Sequence, residues 1–191
     1  MRRWGVVVAV VAFALALVAV GPARAAKFST VAATFSWTRV DAYGTWSGGI
    51  AMFGPERASL GMLAGEYLIP ILRQCTGQGT PSDPSDDTFA EITGESYRPV
   101  ATAATVMTIA PSLKSASYRG PLRTDFWFVH DGCTDTIIAS GTWTKDVQAT
   151  LIAEDQLTES DFLSKGYSAT GTISFDGVPA TFIEGQIWRL K

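Results

Sequence analysis

Apolar and polar side chains alternate with a period of two along most of this chain, a spacing that suits an extended strand and not a helix. Over residues 31–39 the odd positions carry Val31, Ala33, Phe35 and Trp37, with Thr34, Ser36 and Thr38 between them. Residues 43–53 keep Trp46, Ile50 and Met52 in phase. Gly44, Gly48 and Gly49 break the side-chain rows there, as they do where a sheet bends or two strands approach closely. Leu60, Met62 and Ala64 alternate next, then Tyr67, Ile69 and Ile71. Pro70 has no amide hydrogen to give to a ladder, so this stretch predicts an edge strand or a bulge. A helix over 59–72 is the competing reading, opposed by Gly61, Gly65 and Pro70.

Strand patterns continue over 89–97, 100–109, 126–129, 134–144, 147–154, 167–175 and 178–190. Asp131-Gly132 and Asp176-Gly177 are tight-turn pairs that join their flanking strands as hairpins. Residues 75–87, rich in Gly, Thr, Pro, Ser and Asp, form the clearest long loop. Thr158 with Asp161 three residues on, and Gly166 after Lys165, predict at most one short helix, near 159–165. Strands without interleaved helices exclude an alternating strand-helix fold. The expectation is an all-β, antiparallel barrel, whose closure removes exposed edges, or else a two-layer β-sandwich.

The first 25 residues read as an address rather than a structural element. Arg2 and Arg3, an apolar run from Gly5 to Val20, and the small-x-small Ala23-Arg24-Ala25 predict a secretory signal peptide cleaved after Ala25. The run is shorter than the roughly 20 residues that cross a bilayer. A secreted, extracellular, single β-rich domain at 26–191 follows, with no membrane span after cleavage and a bacterial source suggested by the residue bias. Loss of Arg2, Arg3 and Arg24 leaves 12 of 15 basic residues against 18 acidic ones, a net charge near −6. With no Lys/Arg cluster to offset that charge, a nucleic-acid partner is excluded. Export also lets Cys75 and Cys133, the only cysteines, form a disulfide.

Chemistry-bearing motifs are few. Gly44-Thr45-Trp46 is similar to the Gly-x-Trp element of the lipocalin and avidin families. In those families it belongs to the opening strand, whereas here a full strand precedes it; the likeness covers these residues alone and assigns no family. His130, the only histidine, stands beside Asp131 and five residues after Asp125; with Glu184 these are the candidates for hydrolytic acid/base work. No Gly-x-Ser-x-Gly elbow is present. Asp83, Asp86 and Asp87 offer carboxylates to a calcium ion, the one cofactor hinted at, although they lack EF-hand spacing and read equally as an exposed acidic loop. Trp46, Trp127, Trp143 and Trp188 are the candidate ligand-binding residues, either packing a core or lining a cavity or surface patch.

The functional expectation is a secreted, noncatalytic binding or protein-interaction domain whose partner is an unknown protein, an envelope component or a small apolar ligand. Two alternatives stand beside it. One is a small apolar-ligand carrier within a β-barrel, recognisable by an interior cavity above roughly 300 Å³. The other is an extracellular hydrolase using carboxylates near His130.

Overall fold

The computed structural model describes residues 29–56, 59–75, 89–97, 100–160 and 162–191. Ten strands hold most of them: β1 Thr30–Asp41, β2 Gly44–Pro55, β3 Gly61–Gln74, β4 Phe89–Tyr97, β5 Val100–Ala101, β6 Val106–Ile109, β7 Ser115–Asp131, β8 Thr136–Gln156, β9 Leu163–Phe175 and β10 Val178–Leu190. Every pairing is antiparallel. Among the described residues there is no helix, so the fold is all-β. Nor does any helix there have the length and apolarity to cross a membrane.

Hydrogen bonding runs in the order β4, β3, β2, β1, β10, β9, β8, β7, and β4 then pairs β7, so eight strands close into a ring. The short strands β5 and β6, which lie between β4 and β7 in the chain, pair the first half of β7, while β4 takes residues 126–131 of its second half. One edge of β7 therefore serves three strands in succession, and its other edge runs along β8. β8 in turn pairs β9 only from Val147 onward, and residues 136–146 pair with β7 alone. That step, where β8 outruns β9, shapes the end of the ring.

Alternation places Val31, Ala33, Phe35 and Trp37 of β1, Ile50 and Met52 of β2, and Val147, Ala149 and Leu151 of β8 in one core with Tyr118, Ile173, Phe175 and Ile187. A hollow wide enough for a ligand would leave accessible surface on its lining, but Ala33, Met52, Tyr118, Val147 and Ile187 have none. The centre of the ring is filled with side chains. A smaller cluster of Trp46, Leu68 and Val129, with Ile92, Trp127 and Ala139 against it, packs where β3, β4, β7 and β8 extend past the main core.

Pro70 lies at a register break between Leu68 and Ile71 in the β3–β4 ladder, the bulge its missing amide hydrogen calls for. Asp176 and Gly177 take φ of 51° and 78°, the left-handed pair of a two-residue hairpin turn. Cys75 and Cys133 are bonded, with Cα atoms 5.2 Å apart.

The described residues near 159–165 hold no helix, within the expectation of at most one. The Ser160 hydroxyl accepts the Leu163 amide hydrogen at 3.2 Å, and the Ser160 amide donates to the Leu163 carbonyl at 3.3 Å, a turn from which β9 starts. Residues 100–109 are not one strand, because a turn closed by the Thr105 amide and the Thr102 carbonyl separates β5 from β6. Segments 134–144 and 147–154 merge into the single strand β8. β7 starts well before 126, its early half hidden by Gly120, at φ 122°, and by Pro121.

Candidate functional site

At the step between β8 and β9 the inward-facing rows of several strands run out of core and continue upward. On β8 the row Leu151, Ala149, Val147 proceeds to Lys145 and Trp143. Phe35 and Trp37 on β1 are followed in phase by Arg39 and Asp41, and Met62 and Ala64 on β3 by Glu66 and then Leu68. The β9–β10 turn stops below this level and is held there by Asp146. The Asp176 amide donates to the Asp146 carbonyl at 2.7 Å, and the Asp146 amide donates to the Asp176 carboxylate at 2.8 Å.

The result is an open cleft of about 240 Å³ at the end of the ring. Arg39, Asp41 and Tyr43 from the β1–β2 hairpin form one side, and Thr142, Trp143 and Lys145 of β8 the other, with Trp46 and Trp127 between them. Tyr43 and Trp127 have ring centroids 5.9 Å apart, and Trp46 meets Trp127 edge-on at 6.4 Å. Trp46 is 1% exposed, and its indole Nε1 has no hydrogen-bond partner.

A buried ion pair anchors the hairpin side. Arg39 Nε and Nη2 donate to Glu66 Oε1 and Oε2, both at 2.8 Å, in the two-pronged geometry that suits a guanidinium and a carboxylate. Trp37 Nε1 adds a third donor to Glu66 at 3.1 Å. Arg39 Nη1 reaches Asp41 at 3.1 Å, while Asp41 also accepts the Tyr43 amide hydrogen at 2.9 Å and so shapes the turn. Gly48 is required beneath this pair: a Cβ there would stand 2.7 Å from both the Trp37 ring and Glu66 Cγ. Burial alone would lower the Arg39 pKa, but the hydrogen bonds and charge of Glu66, then those of Asp41, outweigh it and hold the pKa above its ordinary value.

Lys145 has the opposite balance. Its Nζ lies 5.2 Å from the Trp143 ring centroid and 5.7 Å from that of Phe175, and it forms no ion pair among the described residues. Burial and then the nearby Arg39 charge push its pKa below the ordinary lysine value. The charges of Glu66, Asp176 and Asp41 oppose that shift without cancelling it.

Three of the four tryptophans singled out from the sequence, Trp46, Trp127 and Trp143, thus meet in one cleft. Trp188 does not; it is buried on β10, opposite Ala32 of β1 and Gly166 of β9. His130, Asp125 and Asp131 are not brought into one constellation. His130 Nε2 faces Asp135 at 3.1 Å, Asp125 pairs with Arg123 at 2.9 Å, and Asp131 accepts from Arg73 and from the Cys133 amide, each at 2.9 Å. Glu184 sits on β10 opposite Ser36. Asp83, Asp86 and Asp87 lie outside the described residues, among which no group of three or more His, Cys, Asp or Glu could hold a metal. Arg39, Glu66 and Lys145 were not legible as site residues from motif spacing. The available signal was a charge standing in phase with an apolar row, a position that an ordinary core strand leaves to carbon.

No protein-family model matches this chain, and neither a curated protein nor a solved structure is similar to it.

Proposed function

We propose that this chain is an exported, noncatalytic binding domain that takes a small, largely apolar ligand in the tryptophan-lined cleft at the end of the ring. The observation that carries this reading is the convergence of Tyr43, Trp46, Trp127 and Trp143 from three separate strand regions on one open cleft. Trp46 is buried beneath the cleft, while Tyr43, Trp127 and Trp143 keep part of their surface open and supply rigid contact area at low entropic cost. The filled centre of the ring directs ligand binding to this end instead of a central calyx. At about 240 Å³ the cleft suits a molecule of one or two rings, below the roughly 300 Å³ at which drug-sized pockets begin. Export is supported by the signal pattern of residues 1–25 and by the disulfide, which needs an oxidising compartment to persist.

The test is a non-denaturing mass measurement of the oxidised protein after exposure to an extract of its source cells, beside the Trp127→Ala variant. Wild type is expected to retain a small-molecule mass that the variant loses. Equal retention by both, or a gain in mass only from a protein subunit, would refute a ligand in this cleft.

A further inference from the structure

We propose that the cleft selects for negative charge: its ligand is a small aromatic carboxylate, with the ring among Tyr43, Trp127 and Trp143 and the carboxylate at Lys145 Nζ. This deepens the preceding proposal and rests on the cleft being the binding site. A nest of aromatic rings ordinarily attracts cations such as quaternary ammonium groups. Here the protein has already placed its own cations on two of those rings. The Arg39 guanidinium lies 5.2 Å from the Trp46 centroid, and Lys145 Nζ lies 5.2 Å from that of Trp143. A cationic ligand would meet both.

The two protein cations are not equivalent. Arg39 is compensated on both sides, by Glu66 and by Asp41. Lys145 has no carboxylate within ion-pair distance among the described residues. The acidic groups whose charge reaches it are engaged elsewhere: Glu66 with Arg39 and Trp37, Asp41 with Arg39 and the Tyr43 amide, Asp176 with the Asp146 amide. Its ammonium group therefore stands half-buried against aromatic carbon, and its lowered pKa reports the same lack of compensation. An ammonium group without a carboxylate partner, held against ring faces where it lines the cleft, fits a ligand that brings oxygen atoms there.

The experiment titrates the oxidised protein at neutral pH with naphthalene-2-carboxylate and with its uncharged counterpart naphthalene-2-carboxamide, reading tryptophan fluorescence and heat. Wild type is expected to prefer the carboxylate at least ~10-fold, the scale of a charge-assisted hydrogen bond against a neutral one. In Lys145→Gln that preference is expected to fall to within about twofold, as follows when the charge-assisted bond is lost. Equal binding of the two probes to wild type, or a preference that survives Lys145→Gln, would overturn the assignment of charge selection while leaving the cleft as a binding site. Failure of both probes to bind wild type would overturn the cleft reading and this inference with it.

Discussion

Replacing Glu66 by glutamine tests the physical core of the site, because it changes one oxygen to nitrogen and almost nothing else. Glu66 Oε1 accepts Arg39 Nε and Trp37 Nε1, and Oε2 accepts Arg39 Nη2. A glutamine with its carbonyl oxygen at the Oε1 position keeps the first two contacts. Its amide group then meets Nη2, donor against donor, and the guanidinium loses its buried counter-charge. One charge-assisted hydrogen bond amounts to about 1.5–3 kcal/mol, and stripping one partner from a buried pair costs about 3–5 kcal/mol. Asp41 remains on Arg39, but with a third of its side chain exposed it compensates in a higher dielectric. The expected loss is therefore about 2–4 kcal/mol, or roughly 10 °C in midpoint for a domain of this size. Urea unfolding of the two oxidised proteins measures it. Arg39→Met/Glu66→Leu, which removes both charges, is expected to recover part of the loss, since a buried pair contributes little beyond its apolar replacement but the Trp37 Nε1–H is left without its acceptor. A loss under ~0.5 kcal/mol in Glu66→Gln, the range of an ordinary surface substitution, would refute the claim that this pair anchors the hairpin. So would a double variant as unstable as the single one.

Reduction of the Cys75–Cys133 bond, or Cys75→Ala/Cys133→Ala, frees a loop of sequence separation 58 and is expected to cost about 4 kcal/mol in the chain-entropy model; equal urea midpoints with and without the bond would contradict it. Gly48→Ala puts a methyl group 2.7 Å from the Trp37 ring and Glu66 Cγ, so overpacking is expected to cost about 1–3 kcal/mol, and a neutral thermal melt would show that the strands have room to part. Because the folded Lys145 pKa lies below its unfolded value near 10.5, the unfolded chain binds more protons between the two values. Stability contributed through this group therefore rises with pH across that window and levels off at 10.5. Lys145→Met is expected to lose that rise, and parallel pH–stability profiles for the two proteins would refute it. Gly177→Ala, at φ 78°, is expected to cost about 1 kcal/mol by forcing a Cβ into the left-handed region, with an unchanged midpoint as the refuting result.

Period two was legible wherever the strands are regular. β1, β2 and the β9–β10 hairpin stand close to where alternation and Asp176-Gly177 place them, and Pro70 marks its own bulge. The ring's closure was expected only as one of two arrangements, because pairing β4 to β7 depends on where the insertion of β5 and β6 goes, a long-range matter that local pattern does not encode. Gly120 and Pro121 resemble a break, yet β8 supports β7 on its other edge and carries the strand through. At the site, Trp46, Trp127 and Trp143 were readable as large rings in strands, but the same chemistry fits Trp188, which is core. Arg39, Glu66 and Lys145 carried a stronger message in their parity than in their identity: each sets a charge in phase with an apolar row.

The shared edge of β7 also bears on how the molecule comes apart in time. Six of the ring's eight pairings join strands consecutive in the chain or separated by a short connection, while β1–β10 and β4–β7 depend on distant segments. The β4–β7 seam is fastened twice across β4, by Arg73 to Asp131 and by Cys75 to Cys133. Interactions that form late in folding act mainly on the rate of opening. Long-range seams close late because loop-closure entropy opposes them, so the disulfide is expected to act as a brake on unzipping, with oxidation slowing unfolding more than it speeds refolding. In the exported setting proposed above, an opened chain that is not refolded is lost, and survival is measured by the lifetime of the closed ring.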